Sequence, residues 1–258
     1  MLADSHCHLD LIDLTPYDGD LRKAIAAARA KDVNYILCPG VDIENFPNIL
    51  KIVETDNNIY AAVGLHPSEK DSREPSLDEL ITLGQNKKII GIGETGLDFY
   101  YTVDELEREH QKKLFKLHIQ AAKALNKPLI VHARDAEVDI IKLLTDEEAM
   151  IVGGVMHCFT GSSAFAEKAI ELGFYVSFSG IVTFRSAQAL REIAKNIPLE
   201  NMLIETDAPY LAPIPVRGKS NEPIYLHYIA EFMAELRGMS YEAFAAQITT
   251  NFLRFCKI

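Results

Sequence analysis

No stretch of apolar residues in this chain is long enough to span a bilayer, and the opening Met1-Leu2-Ala3-Asp4-Ser5-His6 has neither a basic nor an apolar leader region. A cytoplasmic, unexported protein is the expectation. The four cysteines, Cys7, Cys38, Cys158 and Cys256, form no CxxC pair and no compact framework, which excludes a disulfide scaffold or a cysteine-bound zinc as the organising element. Positive charge is scarce too. With 26 basic against 37 acidic residues the net charge is −11, the reverse of the basic footprint of a tight nucleic-acid binder, so any phosphate must be held locally. No Pro, Ser or charge bias marks disorder, no composition break marks a linker, and no heptad or other interface signature marks an obligate protein partner.

What is there is a chain of 258 residues, 48% apolar, enough for one large core spanning residues 1–258. Short apolar runs alternate with amphipathic segments, the pattern of repeated βα units around a parallel sheet. Candidate strands are Leu2 to Ser5, Asn34 to Cys38, Ile59 to Gly64, Lys88 to Gly93, Pro128 to His132, Ile151 to His157, Phe174 to Ser177 and Asn201 to Glu205. Helices are predicted over Leu21 to Ala30, Asp104 to Leu125, Ala164 to Leu172 and Ala187 to Ala194. On the long one, Leu106, His110, Leu114, Leu117, Ala121 and Leu125 form one face. Two further helices follow the eighth strand, from about Glu222, with Asn221 as N-cap, to Leu236 and from about Tyr241 to Phe255. No GxGxxG or GxxxxGK[ST] loop follows any strand, which counts against an open doubly wound sheet. The predicted fold is α/β, a (β/α)8 TIM barrel with extra C-terminal helices, whose active site belongs at the C-terminal ends of the strands.

Those strand ends are rich in metal-ligand types. His6 and His8 close the first strand and, by the period-two alternation of strands, point the same way. Alone the pair fits two ordinary polar histidines. Its company changes the reading: Glu94 ends the fourth strand, His132 the fifth, His157 the sixth, and Asp207 follows the eighth. Four imidazoles and two carboxylates at one barrel mouth would be costly to leave unpaired, whereas divalent cations satisfy both donor types together.

Asp4-Ser5-His6-Cys7-His8-Leu9-Asp10, Gly93-Glu94-Thr95-Gly96-Leu97-Asp98-Phe99-Tyr100 and Glu205-Thr206-Asp207-Ala208-Pro209-Tyr210-Leu211 resemble motifs of the TatD-related DNase family, within the amidohydrolase-like metal barrels. The resemblance runs on through Gly64-Leu65-His66-Pro67, Lys127 to Ala136, His157-Cys158-Phe159-Thr160-Gly161 and Arg217 to Pro223, and so covers nearly the whole chain. Gly173 to Phe184 is similar to the YcfH-type branch. The resemblance implies two divalent ions per chain, of which Mg, Mn, Zn and Ni all suit the donors. One would be held by His6, His8, Glu94 and Asp207, the other by His132, His157 and the bridging Glu94. It implies a metal-activated water, with Asp207 also taking its proton as general base and Glu94 sharing its two oxygens between the ions.

His66, Asp98 and Arg134 are the expected substrate contacts, although Arg134 would equally well pair with Asp98 or Asp135. Arg217 and Lys219 read as solvated cations. His110, His118 and His227 read as packing or surface histidines, and Cys7 and Cys158 as small buried groups turned away from the site. Tyr100 and Tyr101 suit either stacking of bases or anchoring of their loop. Three functions compete: phosphodiester hydrolysis at DNA ends or on short oligonucleotides, carbonyl ester or amide hydrolysis such as deacylation of an aminoacyl-tRNA, and a non-catalytic metal-binding barrel. The last would show a lost ligand, and none is lost. No membrane partner is expected.

Overall fold

Alternating apolar and amphipathic segments resolve, in a computed structural model describing all residues from Met1 to Ile258, into eight strands and nine α-helices. The strands are β1 Leu2–Asp4, β2 Val33–Pro39, β3 Ile59–Val63, β4 Ile89–Asp98, β5 Leu129–Arg134, β6 Gly154–Met156, β7 Phe174–Phe178 and β8 Met202–Ile204. The helices are α1 Leu21–Arg29, α2 Phe46–Glu54, α3 Leu77–Gly84, α4 Glu105–Leu125, α5 Glu137–Asp146, α6 Ser163–Glu171, α7 Gln188–Asn196, α8 Leu226–Leu236 and α9 Tyr241–Cys256. Each strand pairs in parallel with the next, in sequence order. The seam between β8 and β1 is drawn together by Ser5 N–H on Ile204 O (3.1 Å) and Asp207 N–H on His6 O (2.9 Å). The fully buried Asp4 carboxylate adds to it, accepting both the Thr206 N–H (2.9 Å) and its hydroxyl (2.6 Å). The predicted TIM barrel is therefore the fold.

Alternation along the strands separates two cores. Outward residues such as Ile36, Val63, Val131 and Ile204 pack against the ring of helices. Inward residues Ala3, Leu37, Ala62, Ile90, Ile130, Val155 and Leu203 fill the barrel and meet Phe252, Phe255 and Cys256 of α9. Helix α9 thus lies across the N-terminal end of the barrel. Thr249 donates to Met1 O (2.8 Å) and Asn251 to Leu199 O (2.7 Å) and Met202 O (2.8 Å), which fixes it there. No helix is long and apolar enough to cross a membrane.

Several boundaries differ from the sequence reading for physical reasons. β4 does not stop at Gly93 but continues to Asp98, through a register shift between Ile92 and Thr95 that keeps it paired with β5. β6 ends at Met156, so His157 and Cys158 lie beyond the ladder and escape strict alternation. On α4 the expected face holds from Leu114 through Ala121, but Leu106 is 82% exposed and the buried face also takes in Gln111, Phe115 and His118. Asn221 is not the cap of α8, which begins only after a 3-10 turn at Pro223–Tyr225. Its buried amide is committed to the loop after β8, donating to Thr206 O (2.8 Å) and Tyr210 O (2.6 Å).

Candidate metal centre

Histidines and carboxylates arrive at the C-terminal mouth from five strand ends, and β3 adds His66. Glu94 lies at the middle, 3% exposed, with its two oxygens facing different groups. Oε2 is 3.2 Å from His6 Nε2. Oε1 is 2.7 Å from His157 Nε2 and 3.2 Å from both His132 Nδ1 and His66 Nε2. On the Oε2 side His6 and His8 bring their Nε2 atoms within 3.2 Å of each other, and Asp207 Oδ1 lies 3.5 Å from His8 Nε2 and 3.8 Å from His6 Nε2. All these residues except the buried His6 line one cleft of about 550 Å³.

The backbone that carries Glu94 is glycine-rich because neighbouring strands press on it. Gly96 has φ +136°, a conformation L side chains rarely adopt, and a Cβ there would collide with the His132 carbonyl. At Gly64, after β3, a Cβ would lie 2.7 Å from Gly93 Cα. The two glycines let β3, β4 and β5 crowd together around Glu94 and His132.

Electrostatically the cluster asks for positive charge. Burial alone would raise the Glu94 carboxyl, but the charges of His157, His66 and His6 hold it well below the usual carboxylate range. Asp207 is likewise lowered against its burial, chiefly by the hydrogen bond from His8. Burial would drive His8, His132 and His157 neutral, yet their carboxylate partners outweigh it and raise all three. His6 goes the other way, lowered by burial and by the charge of His157. Protons here stand in for cations.

A divalent ion fits this donor set better than protons do. The His6 and His8 Nε2 atoms, 3.2 Å apart, can share one proton only, whereas a single cation accepts a lone pair from each. Three groups of potential ligand atoms lie close enough to hold an ion, His6–His8–Asp207, His66–Glu94–His132 and His6–His157–Glu205. The buried histidines and carboxylates fit a divalent metal site.

Behind this ring stand two carboxylates. Asp98, expected among the substrate contacts, is placed instead behind His132: Oδ2 lies 3.3 Å from His132 Nε2, and Oδ1 accepts from Tyr100 N (3.1 Å). Its position at the end of the lengthened β4 explains the difference. Glu205, which the sequence reading passed over, is fully buried, accepts the Cys158 N–H at 2.5 Å and lies 3.3 Å from His157 Nδ1, off the line a hydrogen bond requires. It was discoverable, since it falls two residues after inward-facing Leu203.

The remaining residues sort plainly. His66 joins the ring around Glu94. Arg134 pairs with neither Asp98 nor Asp135; its guanidinium lies 4.0 Å from the Tyr100 ring centre and 4.9 Å from that of Tyr101. The two tyrosines are 56% and 64% exposed, so they do not anchor the loop by burial. Arg217 stacks on Phe184, His110 pairs with Glu74 on the surface, and His227 packs with Nδ1 2.6 Å from Ile224 O. Cys7 is fully buried, as expected, but Cys158 borders the cleft, with a left-handed φ of 43° and Sγ 3.3 Å from Ser179 Oγ.

Comparison with known proteins agrees with this chemistry. A family model described as TatD related DNase matches residues 3–257. The uncharacterized metal-dependent hydrolase YcfH of Escherichia coli K12 is 42% identical over 257 residues, covering 100% of this chain and 96% of that one. The uncharacterized metal-dependent hydrolase YabD of Bacillus subtilis is 41% identical over 259 residues, covering 100% of both. Among solved structures, YjjV, a TatD homolog from Escherichia coli K12, superposes with a TM-score of 0.91 at 28% identity, covering 100% of this chain and 98% of that one. The chain belongs to the TatD-related DNase family and is a metal-dependent hydrolase built on a TIM barrel.

Proposed function

We propose that this protein, acting as one unit over residues 1–258, hydrolyses phosphodiesters at DNA ends or in short oligonucleotides. The observation that carries the reading is the division of Glu94, whose Oε2 faces the His6, His8 and Asp207 group while Oε1 faces His132 and His157. Such a carboxylate suits a pair of divalent cations, and the family name supports DNA as the substrate. When bound, the cations lower the pKa of water and neutralise the oxygens of the reacting phosphate. Metal ligands in this reading are His6, His8, Glu94 and Asp207 on one side and Glu94, His132 and His157 on the other.

Asp207 is held ionised by its histidine neighbours, the protonation state a proton acceptor must have. A water oxygen bonds to phosphorus, its proton passes to Asp207, the P–O ester bond breaks, and the leaving oxygen is protonated from solvent. His66 and Arg134, both on the cleft wall, orient the phosphate. Arg134 suits this because its planar fork donates paired hydrogen bonds and no carboxylate occupies it. Asp98, at hydrogen-bond distance from His132 Nε2, keeps that ring turned so that Nδ1 faces Glu94, and the Glu205 carboxylate beside His157 Nδ1 favours by its charge the orientation with Nε2 toward Glu94. With a net charge of −11, recognition is confined to a few phosphates, and binding falls only slowly with salt.

The test is activity of chelator-stripped protein with Mg²⁺, Mn²⁺, Zn²⁺ or Ni²⁺ restored, on an end-labelled single-stranded oligonucleotide and on an aminoacyl-tRNA, with the Glu94→Ala/His132→Ala double variant as control. Stepwise shortening of the oligonucleotide, abolished in the control, is expected. An intact oligonucleotide beside a deacylated tRNA would replace this reading with carbonyl hydrolysis.

A further inference from the structure

Past Arg134 the metal cleft gives way to a second cavity of about 710 Å³, and the two share Ala133, Arg134 and Thr160 as a common wall. Its other lining includes Tyr100, Arg108, Val138 and Phe165. Although three acidic residues also border it, two are spoken for. Glu137 accepts the Ser162 N–H (2.7 Å) and hydroxyl (2.6 Å), and Asp139 pairs with Lys112 at 2.8 Å. On the basic side the commitments are fewer. Arg134 pairs with no carboxylate, and Arg108 uses its Nε on Thr102 O (2.8 Å) and its face on Phe99, with the guanidinium carbon 4.7 Å from the ring centre. Two guanidinium groups with unused terminal nitrogens thus line a cavity whose rim is an exposed tyrosine.

We infer that this second cavity is a subsite for the nucleotide next to the scissile phosphate, with its base on the Tyr100 ring and its phosphate on the Arg108 guanidinium, Arg134 standing between the two phosphates. The inference rests on the phosphodiester reading of the adjoining cleft. The unpaired guanidinium groups and the exposed ring favour that occupant against the one uncommitted carboxylate on the wall, Asp135. An aromatic ring at the rim grips a base of any sequence by its π-face, and a planar guanidinium matches a phosphate's oxygens. Because the cavity begins at Arg134, two residues from His132, a chain with one phosphate beside Arg134 in the metal cleft can extend into the adjoining cavity and meet Arg108. The subsite explains why Arg134 is stacked under Tyr100 rather than ion-paired: the stack holds the guanidinium at the threshold between the two cavities.

Three substrates separate the possibilities: bis(p-nitrophenyl) phosphate, which fills the metal cleft alone, a thymidine tetranucleotide, and an abasic tetramer of the same length. Tyr100→Ala is expected to lower kcat/KM for the tetranucleotide, relative to that for the small diester, by roughly five- to a hundred-fold, the range of one base stack. Tyr100→Phe, which keeps the ring, should restore it. Arg108→Ala should lower both tetramers relative to the diester. A readout without turnover is the anisotropy of a fluorescein-labelled tetranucleotide bound to chelator-treated protein, where Tyr100→Ala should weaken binding by a similar factor. An unchanged tetranucleotide-to-diester ratio together with unchanged anisotropy would overturn the subsite while leaving the phosphodiester reading intact. Failure of wild-type, metal-restored protein to cut any of the three would overturn both.

Discussion

His118 Nε2 accepts the backbone N–H of Leu65 at 3.0 Å, so a fully buried imidazole on α4 holds the loop from which His66 reaches Glu94. Its Nδ1 lies 2.8 Å from Leu114 O, which makes the ring a neutral strut, donor at one nitrogen and acceptor at the other.

Burial lowers the His118 pKa from 6.5 to about 4. The unfolded chain therefore takes up this proton first, and between those values acid favours unfolding: the stability is complete above 6.5 and lost as pH falls toward 4. The loss is on the order of 2 kcal/mol by pH 5. His118→Leu should cost about 1–3 kcal/mol at pH 7.5 by stranding the Leu65 N–H, and the gap to wild type should narrow at pH 5. Urea midpoints at the two pH values measure both effects.

Asp207→Asn removes the proposed proton acceptor and one ligand but leaves Glu94, His132 and His157 in place. The variant is expected to keep one cation per chain by elemental analysis while kcat falls by roughly 10²- to 10⁴-fold. Full turnover with bound metal would remove Asp207 from its role as base.

Because their carboxylate neighbours raise His8, His132 and His157, the metal-free cluster holds protons that an incoming cation must displace. Metal affinity should therefore climb with pH, steadily through the range where these imidazoles titrate. Calorimetric titrations in buffers of different ionisation enthalpy should report net proton release; a pH-independent affinity would contradict the assignment of these histidines as ligands.

Glu205→Gln tests the carboxylate behind His157. It should weaken metal binding by about 10- to 100-fold with little change in the global fold, as loss of an orienting partner does. Unchanged affinity would reduce Glu205 to a partner of the Cys158 amide.

Gly96→Ala should be among the most damaging small changes in the chain. The strain of placing alanine at φ +136° costs about 1–3 kcal/mol, before the collision with the His132 carbonyl is counted. Loss of thermal stability together with loss of bound metal is the expected pair of results.

How much of this was legible beforehand depended on whether a feature is written in local pattern or in long-range packing. The eight strands were visible because buried parallel strands are short apolar runs with turn residues around them, and the residues around the cleft because they sit at the ends of those runs. β4 was not fully visible: Gly93, Glu94 and Gly96 break the apolar run, and only the pairing of Thr95 to Asp98 with Val131 to Arg134 of β5 reveals that the strand continues. Likewise Asn221 has the composition of a cap, but its amide is claimed by carbonyls eleven and fifteen residues upstream. The first turn of α4 departs from its expected face for the same reason, since Leu106 is apolar by type yet 82% exposed, while Leu114 and Ala121 of that face are buried. Asp98 and Glu205 acquire their places only from which histidine each strand happens to set in front of them.

With Phe252 and Phe255 closing the floor, the barrel is a cul-de-sac rather than a corridor. In the proposed reaction, whatever is cut at Glu94 must leave by the doorway through which the next molecule arrives. Incoming substrate and outgoing product are thus rivals for one entrance, and traffic at that entrance bears directly on how fast the centre can be used.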